Sequence, residues 1–119
     1  AGNLDRSKEV LQHSLAISQK LGSHAATSAT LLSLGNTARA QQDLNAAIQF
    51  YRQAVTKATH PLDQTEALLS QFSAHLEQKQ GEEATELLPQ IKEAIASLPP
   101  SRMSIYAQVN FAQSLVKMG

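Results

Sequence analysis

The four histidines, His13, His24, His60 and His75, are the first candidates in this sequence for a metal ligand or a general base. A zinc-binding helix holds two histidines four residues apart with a glutamate between them, and no H-E-x-x-H occurs. None of the four pairs with another histidine or a carboxylate in ligand spacing, so they read as solvated or helix-end residues. Ser28, Ser33 and Ser70 lack the Gly-x-Ser-x-Gly elbow that would expose a nucleophile. Glu82, Glu83 and Glu86 could form an acid–base pair, but a helix N-terminus, whose dipole favours negative charge, accounts for them. The glycines are too scattered to cradle a phosphate. Cysteine is absent, which excludes disulfides, thiolate metal sites and a cysteine nucleophile. Nothing here reads as catalysis, and neither a metal nor a cofactor is expected.

The elements that position these residues are helical. Hydrophobic residues make up 42% of the 119, enough for a core, but only Phe50, Tyr51, Phe72, Tyr106 and Phe111 are aromatic. The core must come from Leu, Ile, Val and Ala, and leucine and alanine are strong helix formers. Ten basic and ten acidic side chains cancel to a net charge of zero. A nucleic-acid partner is therefore not expected, because neutralising phosphate needs a basic excess. No apolar run approaches the roughly 18–20 residues that span a bilayer, so no membrane partner is expected. The first residues lack the basic start and apolar stretch of a signal peptide, and an initiator Met is missing. The expectation is one domain, a fragment of a longer protein, with its compartment unassigned.

Apolar residues recur at helical spacing, and no stretch alternates with a period of two. Punctuation divides the chain into about six helices. The first runs from about Leu4 to Leu21 and ends at Gly22, and Ser23 caps a second, His24 to Gln42. Asp43 caps a third, Leu44 to about Ala58, which His60-Pro61 closes. Asp63 begins a fourth, with Glu66 placed for a capping box and Gly81 as its stop. The fifth opens on Glu82 and Glu83, and Pro89 should kink it near Leu87–Leu88. Pro99-Pro100 ends it, and Ser101 caps the sixth.

Internal repetition decides how these helices associate. The clearest unit reads Leu31-x2-Leu34-Gly35-x2-Ala38, then Ala47-x3-Tyr51-x2-Ala54, then Pro61. The frame returns as Leu69-x2-Phe72-Ser73-x2-Leu76 with Ala84-x3-Leu88-x2-Ile91, and again as Phe111-Ala112-x2-Leu115. Ser7-x3-Leu11-x2-Ser14 looks like the second helix of a preceding unit. From Leu34 to Phe72 the offset is 38 residues, and from Phe72 to Phe111 it is 39. From Ser7 to Ala47 it is 40, and from Ala47 to Ala84 it is 37. Small residues at Gly35, Ser73 and Ala112 are expected to admit a facing helix, with Tyr51 and Leu88 filling the space between pairs.

These motifs resemble the tetratricopeptide-repeat signature, a Leu-Gly pair in the first helix and Ala-x3-aromatic-x2-Ala in the second. The resemblance implies an all-α fold, a right-handed superhelix of stacked antiparallel helix pairs. It divides a single domain, 1–119, into a partial repeat 1–22, repeats at about 23–61 and 62–100, and a partial repeat 101–119. The offsets exceed the roughly 34 residues of the standard repeat. The phrases Ser14–Gly22, Leu98–Arg102 and Ile105–Leu115 further resemble the long repeats that precede caspase-like CHAT domains in cyanobacterial proteins.

In tetratricopeptide folds the first helix of each pair lines a concave groove. The resemblance therefore implies a protein-interaction scaffold that binds a protein or peptide there, and whose occupancy could regulate a CHAT protease-like domain attached to it in the parent protein. It places Ala29, Leu32, Asn36 and Arg39 in the groove from one pair, and Ala67, Ser70, Ala74 and Glu77 from the next. Tyr106, Val109, Gln113 and Lys117 come from the last. Asn36, Arg39, Ser70, Glu77, Tyr106 and Gln113 are the partner-binding candidates, Asn36 gripping a peptide backbone and Arg39 a carboxylate. The alternative is a compact helical bundle holding a small apolar ligand. Leu11, Leu15, Phe111, Leu115 and Met118 are read as cut faces at the two ends, through which copies could self-associate.

Overall fold

The computed structural model describes residues 2–118. Seven helices follow one another: α1 (Gly2–Lys20), α2 (His24–Ala40), α3 (Leu44–Lys57), α4 (Pro61–Glu77), α5 (Gly81–Glu86), α6 (Leu88–Ala96) and α7 (Arg102–Met118). No strand occurs among the described residues. The fifth expected helix is α5 and α6, broken at Leu87. Pro89 has no N–H to donate back along the helix, so the ladder fails one turn before it.

The caps follow from side chains that accept backbone N–H groups. Ser23 accepts from the Ala26 amide at 3.2 Å, and Asp43 from the Ala46 amide at 3.2 Å. Ser101 and Ser104 cap reciprocally, each amide donating to the other's hydroxyl, at 3.0 and 3.1 Å. The turns after α1, α2 and α4 are identical in kind. Residues 22, 42 and 79 adopt φ of +71°, +66° and +60°. The amide after each closes on a carbonyl five residues back: Ser23 on Ser18, Asp43 on Ala38, Gln80 on His75. This is the Schellman arrangement.

Two boundaries differ from expectation. Helix α4 begins at Pro61, not Asp63, because proline's fixed φ and missing N–H suit the first helical position. Asp63 and Glu66 therefore lie inside the helix, His60 occupies the cap without a side-chain bond, and no capping box forms. Gly81 does not stop α4; Lys79 makes the turn, and Gly81 opens α5.

Contacts run along the chain, α1 with α2, α2 with α3 and α3 with α4, and between successive first helices, α2 with α4 and α4 with α7. That is the order of a helical-repeat stack of the tetratricopeptide type. The radius of gyration is 14.3 Å, slightly above the ~13.5 Å of a compact domain this long. Phe72 and Phe111 meet edge to face, centroids 6.0 Å apart, in a core with Leu68, Leu69, Ile91 and Ala107. Phe111 is therefore core and not a cut face, as is Leu15, which packs against Leu31, Ala54 and Ala67.

At the heart of α2 and α3, Gly35 meets the fully buried Tyr51 ring. A Cβ on Gly35 would stand 2.5 Å from Tyr51 Cδ1 and closer still to Cε1, so only glycine allows this approach. The equivalent Ser73 is half-buried, while Ala112 is exposed and no described helix faces it. His75 is buried, not solvated. Its Nδ1 lies 2.8 Å from Gln80 Oε1 and its Nε2 3.4 Å from Gln71 Nε2, so both ring nitrogens have a glutamine partner.

Candidate partner-binding groove

Because each first helix packs beside the next, α2, α4 and α7 present one shared face. They enclose an open concavity of about 480 Å³. Its lining is Leu32, Asn36 and Arg39 from α2, Glu66, Leu69, Ser70 and Ser73 from α4, and Asn110, Gln113, Ser114 and Lys117 from α7. A hollow of about 370 Å³ extends it past Arg39 and Lys117 to Glu77 and Lys79. At the other end a hollow of about 120 Å³ runs past Glu66 and Asn110 to Tyr106, Met103 and Leu62.

The six candidates thus share one surface. Asn36, Arg39, Ser70 and Gln113 lie in its centre, Glu77 at one end and Tyr106 at the other. Ala67 and Ala74 do not belong to it; both are buried, Ala74 among Ala38, Ala47, Ile48 and Tyr51. Ala29 and Val109 are exposed but border none of these hollows. Asn110, one helical step beyond Val109, takes its place, and Glu66 joins once it is freed from a cap.

Three candidates already have partners within the fold. The Tyr51 hydroxyl donates to Asn36 Oδ1 at 2.6 Å, which fixes the amide. Arg39 Nε donates to Glu77 Oε1 at 2.8 Å, and a second guanidinium nitrogen closes an ion pair on the same oxygen. The carboxylate expected from a partner is here supplied by the chain itself. Burial opposes the charge on Arg39, but Glu77 and Tyr51 outweigh it and hold the guanidinium above its ordinary value. Burial raises the Tyr51 phenol, with Arg39 pulling it partly back. Burial, reinforced by Asp63, also raises the Glu66 carboxyl.

The groove therefore offers amide donors and acceptors, hydroxyls, a neutralised ion pair, and separate charges in Lys117, Lys79 and Glu66. These can hydrogen-bond an extended backbone and orient it by charge. Among the described residues, no group of three or more His, Asp or Glu side chains is placed to hold a metal ion. No described helix is long and apolar enough to cross a membrane.

Residues 1–59 match the family model described as Tetratricopeptide repeat. The match takes in α1, α2 and α3, where the Leu34-Gly35 and Ala47-Tyr51-Ala54 positions are filled most faithfully. No curated protein and no solved structure matches the chain.

Proposed function

We propose, taking residues 1–59 as tetratricopeptide repeats and α4–α7 as their continuation, that this chain is a non-catalytic scaffold whose groove holds a protein or peptide partner. The repeat family mediates protein–protein interaction, and stacked repeats create concave surfaces suited to extended ligands. On this reading the domain divides at about residues 22, 61 and 100, and each full pair contributes its first helix to the groove. The observation that carries it is the lining itself, which gathers polar side chains from α2, α4 and α7 along one channel. A peptide would lie with its backbone on Asn36, Ser70 and Gln113, an acidic residue toward Lys117 and a basic one toward Glu66. The groove is open and polar at most positions, which speaks against the compact bundle with an apolar ligand.

The test is peptide selection from a random displayed library on the 119-residue chain. Affinities then compare the wild type with a Ser70→Arg, Gln113→Arg variant and with Gln53→Arg on the outer helix α3. Ser70 and Gln113 are better probes than Asn36 and Arg39, which hold the fold together. Peptides that lose at least tenfold in the groove variant alone support the reading. Peptides indifferent to it move the site elsewhere.

The resemblance of Ser14–Gly22, Leu98–Arg102 and Ile105–Leu115 to CHAT-associated repeats supports a finer role, control of an attached caspase-like domain by groove occupancy. Peptide cleavage by a parent polypeptide carrying both parts, with and without a groove ligand, tests it. Unchanged cleavage would remove that role and leave the scaffold.

A further inference from the structure

We propose that the hollow between α4 and α7, at the Tyr106 end of the groove, is a pocket for one lysine side chain of the bound partner. The proposal deepens the groove reading and rests on it. The walls of the hollow come from two stripes at helical spacing, Leu62, Glu66 and Leu69 on α4 and Met103, Tyr106 and Asn110 on α7. Phe72 and Phe111 pack these two helices together in the core, so both walls belong to the described fold.

Size, lining and charge select the occupant. About 120 Å³ is room for about four groups the size of a water molecule. Beyond its Cβ, a lysine side chain is three methylenes and an ammonium, whereas an arginine is longer and ends in a planar fork. Leu62, Leu69 and Met103 offer apolar contact to the methylenes, a stem that lysine buries while its charged head stays at the surface. Glu66 supplies the opposite charge. No Lys, Arg or His lines the hollow, and among the described residues Glu66 takes part in no ion pair.

The fold raises the Glu66 carboxyl by burial and through Asp63, and an ammonium brought beside it favours the charged form. Tyr106 lines the hollow while 62% exposed, and an aromatic face attracts a cation. The Asn110 amide oxygen can accept a further ammonium N–H. Lys79 and Lys117 border the hollow at the opposite end of the groove and repel a lysine there, so charge sets one direction for the partner.

Nuclear magnetic resonance titration of the 119-residue chain with N-acetyl-lysine methylamide tests the pocket. The norleucine analogue, run at matched ionic strength, keeps the stem and lacks the ammonium. Glu66→Gln removes the charge at nearly constant shape, and Tyr106→Ala removes the ring. Glu83→Gln removes an exposed charge on α5, outside this hollow. An unchanged circular dichroism spectrum checks each fold.

The lysine compound is expected to shift the amides of Glu66, Tyr106 and Asn110, equally in wild type and Glu83→Gln. Its affinity should fall roughly fivefold or more in Glu66→Gln and roughly threefold in Tyr106→Ala. A norleucine compound that binds equally well overturns the proposal. So does a lysine compound that leaves these amides unmoved, or one that loses as much affinity to Glu83→Gln as to Glu66→Gln. The probe needs no peptide, so its failure strikes the pocket alone. The groove reading falls separately, on selected peptides indifferent to Ser70→Arg, Gln113→Arg.

Discussion

Arg39 and Glu77 occupy the same position in successive first helices, 38 residues apart, and are ion-paired across the wall of the groove. A strict repeat would place like residues there; this chain places opposite charges and so ties α2 to α4. The two side chains are 31% and 46% exposed, so the pair contributes only ~0.5–1 kcal/mol. A double-mutant cycle with Arg39→Ala and Glu77→Ala, read by urea unfolding, should return that coupling and lose most of it in 1 M salt, where screening acts over about 3 Å. A coupling unchanged by salt would contradict the ion-pair account.

Gly35→Ala tests the close approach of α2 and α3. Alanine improves helix propensity by up to ~1 kcal/mol, but its methyl would intrude on a fully buried ring. Overpacking of this kind costs roughly 1–3 kcal/mol, so the variant should unfold at lower urea than wild type. Tyr51→Phe keeps the ring and loses the bond to Asn36, a smaller loss of about 1 kcal/mol. A Gly35→Ala variant more stable than wild type would show that the helices can separate freely.

The three Schellman turns predict opposite signs for glycine. Gln42 and Lys79 hold the left-handed conformation at a cost that Gly22 avoids. Gln42→Gly and Lys79→Gly should each stabilise by about 0.5–1 kcal/mol after glycine's extra unfolded-state entropy is subtracted. Gly22→Ala should destabilise by about 1 kcal/mol. Thermal midpoints of the three variants check the signs, and a Lys79→Gly variant that melts early would contradict the strain argument.

Glu66 sets a pH dependence of stability. Its carboxyl is raised in the fold by burial and by Asp63, so the native state holds this proton more tightly than the unfolded chain does. The contribution is fully present below the ordinary glutamate value and is lost as pH rises through the raised native value. Glu66→Gln should flatten the decline just above the ordinary value, and Asp63→Asn should reduce it. Unfolding free energies measured from pH 4 to 7 decide this, and parallel curves for wild type and Glu66→Gln would rule it out.

The caps and the α5–α6 break were legible because each depends on one side chain and its near neighbours. Ser23, Asp43 and Ser101 carry their hydrogen bonds within three residues, and Pro89 removes one from its own helix. Pro61 misled because proline both ends one helix and begins another, and the sequence does not mark which. The groove was legible in its polar centre and not at Ala74 or His75. Ala74 is the repeat equivalent of exposed Asn36, yet α2 and α3 lie against it. The repeat frame states which face a residue takes on its own helix; burial depends also on the preceding pair. His75 is polar by type yet buried, its ring nitrogens held by Gln71 on its own helix and Gln80 in the turn that follows.

The break at Leu87 has a mechanical consequence. Helices of six and nine residues fall below the roughly 12–15 at which a helix holds itself together in water, so α5 and α6 persist through their packing on α4 and, for α6, on α7. A stack of such pairs behaves as a spring whose coils are unequal in stiffness. Pulled from its ends, it yields first at this jointed coil, while the turn of α2 and α3, locked by Gly35 and Tyr51, keeps its shape.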